Sequence, residues 1–386
     1  MKISCLVHDL SANSIVRTYP IAKVLERRHE IEIAGPVFGD EIYEAFAQEF
    51  TYRPVFPKGK RWHHFLSVVP SLLSKLDGDV LYAFKPIPTS FGVGLIRKTT
   101  AGVPLLLDIE DWDNASFHNS KLWKHVWGDG WGRGSRLSSP YGGVAQSITE
   151  AVTHLADGIT VSSRFLRSRF GGTQVYMGVN ASVFDPSSYD KERERNRFGL
   201  PDCQCALFTG KVRPHKGLKD LCDAARTLSE DLRVVVAGPE NRHVEKLSES
   251  YPGAFTYLGM FPHSEMPALL AAADYVCLPQ RPTPYAEAQI PAKVFEAMAM
   301  EKPIVATAVS DLPQILDGCG KVVPPQDPEA LAGALNELLK APSEAQNIGR
   351  AARRKCVFRY SWDAMEEILD PIVASISNPI GEKSAE

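Results

Sequence analysis

The sequence lacks the marks of several large protein classes. It has no basic excess: 43 Lys and Arg against 46 Asp and Glu leave a net charge of −3, so the electrostatic footprint of a nucleic-acid binder is missing. Its seven cysteines are odd in number and contain no Cys-x-x-Cys pair. Neither a disulfide scaffold nor a zinc site is expected, and a reduced cytoplasmic setting fits. Cys203 and Cys205 stand two apart by chance spacing. No apolar run approaches the roughly 20 residues that span a bilayer; Pro104–Leu107 and Pro267–Ala273 fall far short. The opening "MKISCLVHDL" turns polar after one short apolar run, which reads as a first strand and not as a signal peptide. No Gly-x-x-x-x-Gly-Lys-Ser/Thr pattern occurs, which speaks against an ATPase loop.

What is present is a rhythm. The chain has 386 residues, 44% hydrophobic and 23% charged, too long for one ordinary core and suited to two domains. Short apolar runs alternate with helical patterns. Strands are expected at Ile3–Val7, Ile31–Ala34, Val80–Ala83, Leu105–Leu107 and Gly158–Val161. A second series covers Ala206–Thr209, Val234–Ala237, Phe255–Leu258, Tyr275–Leu278, Ile304–Thr307 and Lys321–Val323. Helices between them include Ile15–Leu25, Val144–Leu155, Leu218–Leu228, Glu265–Ala273, Ala292–Met300 and Pro328–Leu339. Strand-then-helix repetition of this kind builds parallel sheets covered on both faces. The rhythm breaks across "FDPSSYDKERERNRFGLPD", rich in charge, Pro and Ser, which reads as a linker. The expected division is a first domain over 1–185, a linker over 186–200 and a second domain over 201–359. A helix over 360–378 then packs back across the hinge, before a tail of 379–386. In two doubly wound α/β domains a ligand is expected beyond the C-terminal strand ends, in the cleft between them.

The stretch "GKVRPHKGLKDL" sits between a buried strand and an amphipathic helix. A turn from Gly210 to Gly217 exposes the first backbone N–H groups and the positive end of the helix dipole. Lys211, Arg213 and Lys216 add charge suited to a diphosphate leaving group. The plainer reading of this stretch alone is a solvated basic loop. A second stretch, "PTPYAEAQIPAKVFEAMAMEKPIVATAVSDLPQIL", leads through a proline-punctuated loop into a helix carrying Lys293 and Glu296. Loop N–H groups within Gln289 to Ala292, Ile290 among them, can face phosphate or sugar oxygens. Glu296 can accept paired hydroxyls, or be an ordinary solvated helix residue.

Taken in order, "GKVRPHKG", "VVVAGPEN", "FTYLGMFPHSEMPALLAAADYVCLP", "PAKVFEAMAMEKPIVAT" and "GKVVPPQDPEALAGAL" resemble retaining glycosyltransferases of the GT-B fold. More narrowly they are similar to the group 1 family (family four). The first half is similar in outline only, through "YMGVNASVFDP" and "LLLDIEDWDN". The resemblance implies that Lys211 and Lys216 hold the donor diphosphate, and that Glu296, the second Glu of the family's Glu-x7-Glu motif, binds the donor ribose. The first Glu of that motif falls at Ala288, with Glu287 one residue off as its substitute toward the transferred sugar. Pro291 and Lys293 resemble a subset lacking that first carboxylate. Leu258–His263, with Phe261, is implied to line the nucleobase through its backbone.

On the acceptor side the resemblance points to Ser11, Asn13 and Ser14 before a helix, with Arg17 on its first turn facing donor phosphate or acceptor. Asp111 and His118 are candidates near the reacting sugar; a turn-capping role for Asp111 is an equal reading. Asp111-Trp-Asp113 also matches an Asp-x-Asp metal clamp, but a triplet this short arises by accident, and no metal is assigned. The stretch "KGKRWHHFLSVVPSLLSKL" and the segment with Trp123, Trp127 and Trp131 suit a membrane interface, a sugar-stacking platform or ordinary core packing. The expectation is an α/β, GT-B enzyme of two Rossmann-like domains, moving a hexose-type sugar from a nucleotide diphosphate sugar to an acceptor hydroxyl with retention. Its partners are that nucleotide-sugar donor and a hydroxyl acceptor, with no nucleic acid, no cofactor and no strict metal requirement. Peripheral membrane contact through the first domain stays open. A sugar-nucleotide epimerase of the same fold and a non-catalytic sugar-nucleotide-binding protein are the alternatives.

Overall fold

The apolar segments pair into two wholly parallel sheets. The computed structural model describes residues 1–13, 15–114, 137–228 and 232–377. By contacts the chain divides into one unit from Met1 to Met177, joined by residues from Met365 onward, and a second from Gly178 to Ala364.

In the first unit the strands are β1 (Lys2–Leu6), β2 (Glu30–Pro36), β3 (Thr51–Val55), β4 (Val80–Phe84), β5 (Leu105–Ile109), β6 (Gly158–Val161) and β7 (Thr173–Gln174). Their order across the sheet is β3-β2-β1-β4-β5-β6-β7. Every residue of β4 and β5 is buried, as a central strand covered on both faces requires. The two strands that the apolar pattern does not announce lie at the edges. β3 carries Pro54, which cannot donate to a ladder and is tolerated only there, and β7 has two residues. The helix Trp362–Ser377 buries Met365, Leu369, Val373 and Ile376 on one face. Its Glu366 is bridged by Arg27 and Arg28 at 2.6 and 2.7 Å. The expected tail 379–386 lies outside the described residues.

In the second unit, β8 (Gln204–Thr209), β9 (Leu232–Ala237), β10 (Phe255–Gly259), β11 (Tyr275–Leu278), β12 (Ile304–Thr307) and β13 (Lys321–Val323) run in the order β10-β9-β8-β11-β12-β13. The helix Leu218–Thr227 buries Leu218, Leu221, Cys222 and Ala225, the positions its spacing marks. They join Phe208, Val234, Val236, Leu331 and Leu335 in one core. In each sheet the order reverses once, between β1 and β4 and between β8 and β11. That switch leaves a crevice at the C-terminal strand ends.

The charged stretch expected as a linker over 186–200 is structured and sits inside the second unit. Asp190 caps the helix Lys191–Phe198, its carboxylate accepting from the Arg193 N–H at 2.8 Å. Arg195 spans from this helix to Asp274 at 2.9 Å and donates to the carbonyls of Pro201 and Cys203. Its charge density reflects anchoring ion pairs, and composition alone cannot tell these from solvated linker charges. Arg195→Ala is expected to destabilise the second unit by about 2–4 kcal/mol, because buried acceptors and Asp274 lose their donor. A chemical-denaturation shift under about 0.5 kcal/mol, the scale of an ordinary surface change, would return this stretch to linker status.

Candidate active site

At the switch point of the second sheet two loops meet. Gly210 follows β8 with φ +102°, and Gly217 opens the helix Leu218–Thr227 with φ +70°. A Cβ on Gly217 would overlap the Pro279 carbonyl oxygen in the loop after β11. Glycine is therefore needed here for both conformation and clearance. No side chain caps the first turn of this helix. Asp220 within that turn is engaged by Arg281 at 2.8 and 2.5 Å, and the Arg281 N–H donates to the His215 carbonyl. These bonds fix the 210–217 loop against the segment leaving β11.

The basic side chains fall into two layers. Lys211 and Arg213 are exposed. Lys216 is half-buried and donates to Gln289 Oε1 at 3.1 Å. Beneath them, Lys293 donates to the Thr209 carbonyl, lies 4.5 Å from the centre of the Phe208 ring and reaches alongside Gly210. Among the described residues neither Lys211, Arg213 nor Lys293 has a carboxylate within salt-bridge distance. Burial first, then the charge of Lys216, brings the Lys293 pKa down to about 7, with Glu296 opposing weakly. Burial and the charges of Lys216 and Arg213 likewise push His215 down to about 4. The site is thus a cluster of cations poor in negative charge; within its loop Gly210, Lys216 and Gly217 spend their N–H groups on the carbonyls of Ala237, Arg213 and Pro214.

The 284–296 segment supplies the other wall. Thr283 caps the helix Pro284–Ala288. Of the four residues in the loop expected to offer N–H groups, Pro291 has none and Gln289 spends its own on the Ala286 carbonyl. Ile290 and Ala292 remain. Glu296 Oε1 stands 3.1 Å from His263 Nε2, and this bond raises the His263 pKa. Glu287 accepts from the Ser310 N–H at 2.9 Å, holding a residue with φ +56° after β12. Ala288 is fully buried. The Phe261 ring packs edge-on against Phe198 at 5.2 Å, which leaves its backbone for the expected nucleobase contact.

In the first unit the expected acceptor residues separate. Ser11 Oγ donates to Asp9 at 2.6 Å and accepts from Gly39 N–H, a turn-fixing role. Asn13 is exposed, its carbonyl taking the Val16 N–H. Arg17 does not face a ligand as expected: it is 1% exposed, forks onto Asp108 at 3.0 and 2.9 Å and donates to the Val175 carbonyl. Asp108 also accepts from Thr160, which bonds the Tyr82 hydroxyl. A first-turn Arg on a strand-flanking helix reads equally as ligand or as strut, and the buried Asp108 in β5 decides it.

Asp111 does lie at the C-terminal end of the sheet, with partners the sequence did not reveal. Lys85, after β4 with φ +70°, places Nζ 3.2 Å from Asp111, 3.1 Å from Asp113 and 3.3 Å from Glu110. An ammonium thus occupies the centre of the Asp-x-Asp triplet. Burial opposes the Lys85 charge, but the three carboxylates outweigh it and hold its pKa well above the usual value. Burial pushes Glu110 up to about 8 despite Lys85. His8, after β1, is held near 3 by burial and by Lys85. Lys85 and His8 were missed, marked only by position after an apolar run. The contacts of Glu110 and Asp113 with Lys85 and of His263 with Glu296 were not foreseen. Ser14, His118, Trp123, Trp127 and Trp131 lie outside the described residues.

Two Rossmann-like parallel sheets with these switch points define the GT-B class of fold. The solved structure of HepE from Anabaena in complex with UDP-glucose superposes with a TM-score of 0.74 at 16% identity, over 97% of this chain and all of that one. Residues 204–341 match the family described as glycosyl transferases group 1. The chain is 30% identical to the alpha-D-kanosaminyltransferase of Streptomyces kanamyceticus over 47% of this chain and 48% of that protein. It is 32% identical to the MMP alpha-(1->4)-mannosyltransferase of Mycolicibacterium hassiacum over 50% of this chain and 45% of that protein. The chain thus spans about half the length of these curated relatives.

Arg17→Met strands the Asp108 carboxylate in the core and is expected to cost about 3–5 kcal/mol. Its melting temperature should fall well below that of the native chain; an unchanged melt with weakened ligand affinity would restore Arg17 to the ligand side. Gly217→Ala, which adds a clash to a left-handed backbone, should cost about 2–4 kcal/mol. A change of less than about 1 kcal/mol in urea titration would mean that the Gly217–Pro279 approach is not tight.

Proposed function

We propose that this chain is a retaining glycosyltransferase that moves a hexose-type sugar from a nucleotide diphosphate sugar to an acceptor hydroxyl. The observation that carries the reading is the shell of Lys211, Arg213, Lys216 and Lys293 around the Gly210–Gly217 loop. Charge of this kind, gathered where backbone N–H groups open a helix, is stabilised by an anion with several oxygens. A diphosphate satisfies it, and the negative charge on a diphosphate grows as the bond to the sugar breaks.

In this reading Lys216 and Lys293 neutralise the departing diphosphate while Lys211 and Arg213 draw it in. Glu296, oriented by His263, accepts the ribose hydroxyls. The leaving diphosphate takes the acceptor proton on the face it vacates, so the new bond forms there and configuration is retained. Such a route asks the protein for positioning and charge stabilisation more than for a strong base. Ala288, buried and without a proton to exchange, fits this better than an epimerase, which needs acid–base groups at the sugar. The UDP-glucose complex of HepE and the mannosyltransferase relative support a nucleotide-sugar donor in kind, with base, sugar and acceptor left open.

Nucleotide sugars screened by thermal shift identify the donor, because a ligand of the native state raises apparent stability. With that donor, Lys216→Ala is expected to lower kcat/KM by at least about 10²-fold. Nucleotide release within about twofold of the native rate would remove Lys216 from the chemistry and with it this reading.

Donor affinity should also follow pH. An anion beside Lys293 favours the charged amine, so the pKa rises on binding from its free value of about 7. Binding then takes up a proton above neutrality. Affinity is highest below pH 7 and falls by up to about tenfold per unit above it, until the bound-state pKa is reached. A nucleotide sugar is the right probe, because its diphosphate does not itself titrate there. Calorimetry in buffers of different protonation enthalpy should show net uptake at pH 8 that Lys293→Met abolishes. Equal proton counts in the two proteins would separate Lys293 from the donor.

A further inference from the structure

One surface of the first unit is not used by the proposed transfer reaction. Between Glu49 and Asp77 the chain carries Arg53, Lys58, Lys60, Arg61 and Lys75 and no Asp or Glu, although the whole chain is net negative. Arg53 and Lys75 are spent within the fold, on Glu32 and on the Pro54 carbonyl. Lys58, Lys60 and Arg61 are exposed and have no carboxylate partner among the described residues.

Apolar side chains stand among these charges. Phe56 is 61% exposed and Leu66 is 55% exposed. They flank the basic run, one in the turn after β3 and one at the end of the helix Trp62–Leu66. The inward residues of this segment, Phe65, Val69 and Leu72, are buried, so the core does not account for Leu66. The loop passes close to its helix: a Cβ on Gly59 would stand 3.1 Å from the His64 ring. The Trp62 N–H donates to the Ser138 carbonyl at 3.0 Å, which brings Leu137, 50% exposed, to the same region. The positive field is felt by His64, whose protonation is disfavoured by partial desolvation and by His63, Arg61 and Lys58. Single exposed apolar residues are ordinary. Three of them around an unpaired basic run of fixed conformation are not.

We propose that the Phe56–Leu66 surface docks on an anionic phospholipid bilayer, the basic side chains meeting headgroup phosphates while Phe56 and Leu66 enter the acyl boundary. Charge complementarity selects the occupant: the patch offers cations to a dense, flat array of monoanions. The exposed apolar residues have a use at a bilayer that a free phosphate or a nucleic-acid backbone does not give them. Each basic residue near such a surface strengthens binding by roughly fivefold, and each inserted apolar side chain by about tenfold or more. The inference is independent of the donor chemistry proposed above.

The test is co-sedimentation of the full chain with vesicles of phosphatidylcholine containing about 30% phosphatidylglycerol, against phosphatidylcholine alone, at low and high salt. Binding is expected only to the anionic vesicles and should weaken steeply with salt. K58E/K60E/R61E should lower the partition constant by at least about 10²-fold. F56S/L66S should lower it by about 10²-fold or more while leaving the salt dependence intact. All five side chains are exposed, so melting temperatures should match the native chain; should the charge reversals misfold, K58Q/K60Q/R61Q replaces them. Absence of binding to anionic vesicles at low salt overturns the proposal. So does equal binding to both vesicle types, unchanged binding by both variants, or tighter binding to single-stranded RNA than to the vesicles.

Discussion

The second unit is organised around one electrostatic constraint: an amine buried beneath a basic loop, its charge disfavoured by burial and by Lys216. Lys293 reaches the Thr209 carbonyl at the end of β8 and lies against the Phe208 ring. Its nearest charged neighbours of influence are Lys216, which disfavours its proton, and Glu296, which favours it. Burial has drawn its pKa down to about 7, as expected of a buried cation with no bonded carboxylate among the described residues, and an anion placed beside it would restore the charge. The glycines at 210 and 217 are needed for the same arrangement. They let backbone come close enough for Lys293 and Pro279 to occupy space a Cβ would fill. Remove that proximity and the cations spread into solvent, where each is worth little.

The first unit solves the opposite problem. At its own switch point, the cation is Lys85 and the surplus is negative, from Asp111 and Asp113, while burial keeps Glu110 largely protonated at neutral pH. Two sheets of the same topology therefore present opposite local charge at their C-terminal edges. Arg17 and Asp108 cancel one another deeper in the first unit, tying its first helix to β5 and, through Val175, to the chain beyond β6. That pairing is a strut, and its low exposure explains why a first-turn Arg was misread as a ligand contact.

Much of the fold was legible because burial on both faces of a parallel strand leaves continuous apolar runs. β1, β4, β5, β8, β9, β11 and β12 announce themselves in this way. β3 and β7 did not, since edge strands need neither an unbroken apolar face nor a full ladder. The helix Lys191–Phe198 was read as a linker because its stabilising contacts are ionic. Arg195 finds Asp274 far along the chain, and no local pattern records that. Gly210, Lys211 and Lys216 were offered as candidates by their spacing, and Glu296 by resemblance. The contacts of His263 and Lys85 were not legible, because their partners come from other strands and only the folded sheet brings them together.

Glu287 shows where reading by motif alone stops. The residue one place from the expected carboxylate position was a natural substitute for the absent Glu at Ala288. In the structure its carboxylate holds the Ser310 N–H, at a residue in the left-handed region. A single N–H leaves lone pairs free, so geometry does not forbid a second contact with a sugar hydroxyl. What it does fix is the cost of using Glu287 as a proton carrier. Protonating it would weaken the bond that steadies the turn after β12. A carboxylate engaged in this way is better suited to orient a hydroxyl than to exchange its proton. In the transfer proposed above, where the departing diphosphate takes the proton, no such exchange is asked of Glu287.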